Sequence, residues 1–110
     1  MIDIDINKLN TIIEIPLDID PNYTFDIMLE DENYQIEIRT FMSNDTRISI
    51  FNNDEAIVIL APVSVYGKNL AHYSSLENKV FFFLRNDKKR EEPNFLNFNQ
   101  TDLRLFYGSF

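Results

Sequence analysis

At 110 residues, with a net charge of −8, no cysteine and only two glycines, the chain is sized for one domain and excludes disulfide frameworks, thiolate metal sites and glycine-rich phosphate loops. No apolar run approaches the roughly 20 residues that span a bilayer. The acidic, alternating start Met1-Ile-Asp-Ile-Asp-Ile is unlike the basic start and apolar block of a signal peptide, so synthesis and first residence in the cytoplasm are expected.

In chain order, Ile2, Ile4 and Ile6 alternate with Asp3, Asp5 and Asn7, which predicts an acidic N-terminal arm or edge strand over residues 1–11, ahead of a β-domain over 12–110. Ile13, Ile15 and Leu17 share one side of the next segment, and Pro16 confines it to an edge, a bulge or a strand end. Asp18-Ile-Asp-Pro-Asn reads as a turn. The strongest pattern follows. Tyr23, Phe25, Ile27 and Leu29 alternate with a row in which Thr24, Asp26 and Glu30 want water, and after Asp31-Glu32-Asn33 the alternation resumes as Tyr34, Ile36 and Ile38 against Gln35, Glu37 and Arg39. A period of two puts one row in the core and the other in water, so this is a hairpin with a three- or four-residue loop, and Phe25 and Ile36 point inward.

Thr46 to Phe51 continues the meander with Ile48 and Ile50 inward, and Asn52-Asn-Asp-Glu turns the chain again. Ala56-Ile-Val-Ile-Leu-Ala is continuously apolar, which predicts a central strand covered on both sides. Val63 to Tyr66 extends it toward a turn at Gly67-Lys-Asn, and Leu70, Tyr73 and Leu76 fall at the spacing of a single helical turn. Lys79-Val-Phe-Phe-Phe-Leu-Arg is a strand bracketed by cations, Asn86 to Pro93 is a charged loop, and Leu103, Leu105 and Tyr107 line one face of a last strand. Seven or eight short, mostly antiparallel strands built on a central hairpin make an all-β single domain, a small barrel or a sandwich.

Charge is placed unevenly. Residues 1–37 hold ten acids (Asp3, Asp5, Glu14, Asp18, Asp20, Asp26, Glu30, Asp31, Glu32 and Glu37) against Lys8 alone, while the remainder has eight acids and nine bases. An unaided nucleic-acid binder needs cations on phosphates, so this distribution suits a surface that repels DNA or docks on a basic partner, or else a plainly solvated face.

Candidate chemistry is thin. Asp3, Asp5, Asn7 and Glu14 copy the spacing of a calcium loop, but Lys8 stands where that loop needs glycine and no entering helix fits before Asp3. His72 is the only histidine, and with Ser74 and Ser75 merely adjacent it forms no recognisable triad. Lys88-Lys-Arg90 is answered at once by Glu91-Glu92, the mark of a solvated loop tip. No catalytic, cofactor or metal residues are assigned. Phe41, Phe51, Phe81, Phe83, Phe106 and Phe110 are expected on the second face of strands whose first face is already apolar, which predicts burial against another subunit.

Glu14-Ile-Pro-Leu, Pro21-Asn22-Tyr23-Thr24-Phe25, the segment Ile57 to Leu70 with its Gly67-Lys-Asn-Leu turn, and Asn94-Phe-Leu-Asn-Phe with Leu103-Arg-Leu-Phe-Tyr107 together resemble the small baseplate plug proteins of contractile-tailed bacteriophages, over about residues 12–108. The sequence departs from that pattern at Asp31-Glu32 and Ala61-Pro62, where the family tends to carry glycine. The resemblance implies an all-β structural part of the tail, seated on the axis at the baseplate hub and without enzymatic activity. It implies hub and tail proteins as partners, a homo-oligomer, no cofactor, no membrane, no small-molecule substrate and no specific nucleic-acid binding. The alternative is an acidic DNA mimic that inhibits a host nuclease. A barrel that stacks single-stranded bases on its aromatics is disfavoured by the charge.

Overall fold

In the computed structural model the described residues are 5–18, 20–42, 45–63, 69–70, 78–85 and 103–110. Among the described residues seven strands form two antiparallel sheets: β1 (Thr11–Ile15), β2 (Tyr23–Leu29), β3 (Glu32–Phe41), β4 (Asp45–Asn52), β5 (Glu55–Pro62), β6 (Lys79–Arg85) and β7 (Leu103–Ser109). One sheet is the meander β2-β3-β4-β5 and the other has the order β1-β7-β6. The architecture is therefore a sandwich, not a closed barrel.

The hairpin register is the one the alternation dictates. Phe25 stands opposite Ile36 and Tyr23 opposite Ile38, and Ile36 is in turn opposite Ile50 on β4. That row faces the second sheet, where Ile15, Phe81, Phe83, Leu105 and Tyr107 complete the core. The loop is tighter than the sequence suggests. Only Glu30 and Asp31 connect β2 to β3, with φ of 48° and 67°, and Asn53 and Asp54 repeat the device between β4 and β5 with φ of 51° and 68°. Positive φ at both central residues is the two-residue turn whose twist matches that of a hairpin, so Glu32 and Asn33 already belong to the ladder.

The run Ala56 to Ala61 is not a central strand. β5 is the edge of the meander, and its apolar character has another origin. Ile48 opposes Ala61, Ile50 opposes Val58 and Phe51 opposes Ala56, so β5 carries two more residues than β4 across this stretch. These two bulges break the pleat: Ile57 and Val58 are both buried, while Ile59 and Leu60 are both exposed. Leu60 takes φ of 47°, a conformation costly for a branched side chain. Its amide donates to the Ser49 hydroxyl at 2.9 Å and its carbonyl accepts from Arg47 Nη1 at 3.1 Å, which holds the bulge in place.

At the N-terminus the alternation of Asp5, Ile6 and Asn7 does not continue as a strand. Ile6–Lys8 forms one 3-10 turn, capped by Asp5, whose carboxylate accepts from the Asn7 amide at 3.2 Å. An aspartate at a cap outcompetes extended backbone over so short a segment. Leu9 then packs against β7 at Gly108: a methyl group added there would stand 2.8 Å from Leu9 Cδ1, so a larger residue would push the Leu9 side chain aside. The Asn10 amide fixes the approach by donating to the Ser109 carbonyl at 2.8 Å.

The two sheets are also tied by a polar contact at the hairpin tip. Tyr107 Oη donates to Glu30 Oε1 at 2.8 Å, from the inner face of β7 to the β2–β3 turn. Hydrogen bonds from Ser109 first, and from Tyr107 second, hold the Glu30 carboxyl below its ordinary value. The unfolded chain therefore binds this proton more readily than the folded one in the acid range. The contribution is complete above the ordinary carboxylate value and is lost as pH falls through the lowered one. The expected result is that wild type loses more thermal stability than Glu30→Gln between about pH 5 and pH 2, measured by melting curves. Parallel curves for the two proteins would refute the tie.

Candidate functional site

The wet face of the meander carries the polar row of each strand. Asp26 on β2, Gln35 on β3 and Phe51 on β4 stand in one cross-strand line, and Thr24, Glu37 and Ser49 form the next. Of the acids in residues 1–37 that are described, Asp5, Glu14, Asp18, Asp20, Asp26, Glu30 and Asp31 are exposed, and Glu32 and Glu37 are half-buried. Among the described residues Arg104 bonds Glu14 at 3.0 Å and Arg39 bonds Glu37 at 3.3 Å. Pairs as exposed as these contribute little to stability. Over residues 23–41 Asp26, Glu30, Asp31, Glu32 and Glu37 stand against Arg39 alone, so the hairpin keeps a negative field.

The apolar surface is distributed in patches. Met42 is 90% exposed and Phe41 49% at the far end of β3 from its turn, and Ile59 is 60% exposed at the β5 bulge. Met28 and Ile12 add apolar groups on the edge strands β2 and β1. Phe51 is half-buried on the wet face, Phe106 stacks on Phe82 with centroids 5.7 Å apart, and Phe110 is exposed, as the second-face reading requires. Phe81 and Phe83 do not follow it. Both are fully buried toward the core, and Phe82 is the member of the triplet on the outer face. In a run of three identical residues the period of two has no polar marker to fix its phase, and β7 supplies it instead by pairing Phe81 with Tyr107 and Phe83 with Leu105.

The remaining candidates are dispersed. Asp5 is a turn cap and Glu14 is bound by Arg104, while Asp3 lies outside the described residues. Among the described residues no group of three His, Cys, Asp or Glu side chains is placed to hold a metal ion. His72, Ser74, Ser75, the Leu70-to-Leu76 spacing beyond Leu70 and the basic triplet Lys88-Lys-Arg90 also fall outside the described residues. What sequence reasoning missed is a cleft on the wet face, about 240 Å³ in volume, lined by Asp26, Asn33, Gln35, Phe51, Asn53 and Asp54. Four of those residues come from the wet-face rows of adjacent strands and two from a turn, so only the register and the turn together reveal it.

A search of curated proteins finds no match to this chain. A scan against protein families matches residues 12–109 to the family described as cyanophage baseplate Pam3 plug gp18. The matched span holds the seven described strands, β1 from its second residue, and the hairpin on which the meander is built. The chain belongs to the cyanophage baseplate Pam3 plug gp18 family of phage baseplate structural proteins.

Proposed function

We propose that this protein is a homo-oligomeric structural plug at the axial hub of a phage tail baseplate, made in the host cytoplasm and built into the virion, where it acts by shape and charge and catalyses nothing. The family match over residues 12–109 carries the reading. Two features of the molecule support it. The exposed acids of the β2–β3 side repel a DNA backbone, as a closure on a DNA-conducting channel must. The exposed apolar groups Phe41, Met42 and Ile59 offer contact area for neighbouring subunits and hub proteins, and a stable contact buries roughly 800 Å² per partner.

Deleting the gene from the phage that encodes it tests the reading. The expected result is tails that lack a completed baseplate or that fail to infect. Normal, infective tails would overturn it. The purified protein should also show no measurable affinity for DNA at low salt, and tight binding to a host nuclease would promote the DNA mimic in its place.

A further inference from the structure

The cleft on the wet face has a composition that the plug reading leaves unused. Its aromatic member is Phe51, half-buried on a face that otherwise meets water. Asp26 stands on one side, on β2, and Asp54 on the other, in the β4–β5 turn. Gln35 lies between Asp26 and Phe51 on the same cross-strand line, and Asn33 and Asn53 complete the lining. Three adjacent strands put Asp26 and Phe51 about 10 Å apart.

Among the described residues the side chains of Asp26 and Asp54 take part in no ion pair or hydrogen bond, while Arg39, Arg47 and Arg104 are engaged with Glu37, Asp45 and Glu14. A small cleft with two free carboxylates, three amide acceptors and one aromatic ring matches one chemical group closely. A guanidinium is planar, presents five donors in its plane and stacks its weakly hydrated faces on rings. A metal ion does not fit, because no third carboxylate or imidazole joins the pair among the described residues. At about 240 Å³ the cleft is smaller than the usual site for a whole drug-sized ligand, and suits a single side chain.

We propose that this cleft receives an arginine side chain of a neighbouring protein, with Asp26 and Asp54 accepting from its donors and Phe51 stacking against it. The inference rests on the plug reading for the identity of that neighbour, a baseplate protein with a basic surface, but the recognition itself is a property of the isolated chain. Charge complementarity makes the fit: two carboxylates, Asp26 and Asp54, line the cleft with no described cation paired to either.

The test uses the purified full chain and a capped Gly-Arg-Gly peptide, with citrulline replacing arginine in a second peptide as a neutral analogue. NMR titration should move the side-chain amide signals of Asn33, Gln35 and Asn53 and the ring signals of Phe51, with a dissociation constant on the order of millimolar for so small a ligand. Citrulline should bind at least tenfold more weakly. Asp26→Asn combined with Asp54→Asn should weaken arginine binding at least tenfold without altering the melting temperature, since both side chains are exposed. Equal binding of citrulline would overturn the proposal, and so would shifts spread over Asp18, Asp20 and Glu32 instead of the cleft. The assay needs no phage. A deletion phage with normal tails would remove the plug and leave the cleft standing, whereas a silent titration would remove the cleft and leave the plug.

Discussion

Phe81→Ala is expected to lower the free energy of unfolding by about 3–5 kcal/mol, the range for deleting a buried aromatic ring. Phe81 is fully buried where the two sheets meet, edge-on to Tyr34 of β3 at 5.3 Å and to Tyr107 of β7 at 5.4 Å. Tyr34 and Tyr107 also touch, at 6.1 Å, so the three rings close a triangle across the interface. Removing one corner leaves a cavity that the other two cannot fill, because ladder bonds fix both backbones. Urea unfolding of the variant should show a lower midpoint at an unchanged slope. Phe110→Ala is the control: that ring is 48% exposed beyond the end of β7, and its loss should cost less than about 1 kcal/mol. Equal midpoints for the two variants would refute this account of the core.

Ser49→Ala should cost about 1–3 kcal/mol, which is large for the removal of one oxygen. Ser49 is 3% exposed and its hydroxyl accepts from the Leu60 amide at the bulge of β5. Alanine leaves that amide without an acceptor in a position where the strand geometry offers no other. The Leu60 backbone is already in a conformation that costs of order 1 kcal/mol or more, and the serine bond is part of what holds it there. Hydrogen exchange should therefore quicken at Leu60 and Ala61 more than at Ile36 or Ile48. Uniform protection across all four amides would sink the idea that the bulge depends on Ser49.

The period-two rows explain which parts of the fold the sequence makes legible. In β3 Tyr34, Ile36 and Ile38 are each flanked by polar or charged neighbours, and in β2 Thr24 and Asp26 mark the same phase, so phase and register follow directly, down to Phe25 opposite Ile36. Depth is less legible than direction: Phe25 faces the core but is only half-buried, because β2 is an edge. The segments Phe81-Phe-Phe and Ile57-Val-Ile-Leu contain no polar residue to set the phase, and there the reading fails in two different ways. In the first, the neighbouring strand selects which rings face inward. In the second, two inserted residues turn an edge strand's alternation into an unbroken apolar run. The acidic character of the hairpin side was visible as composition. The cleft was not, since Asp26 and Asp54 are 28 positions apart and come together only through the meander.

The sheet order also sets a timetable. The meander β2-β3-β4-β5 pairs only neighbours in sequence and can close while the chain is still being made. Strand β1 is different, because among the described residues its pairing partner is β7, whose first residue is 92 positions after Thr11. At a synthesis rate of about 5–20 residues per second, β1 waits on the order of ten seconds with Ile12, Ile13 and Ile15 uncovered. During that interval the N-terminal segment is a target for chaperones and for other nascent chains. The sheet closes only when β7 has left the ribosome and Leu105 and Tyr107 come to lie beside Ile15 and Ile13, so loss of β7 would leave β1 and β6 without the strand that joins them.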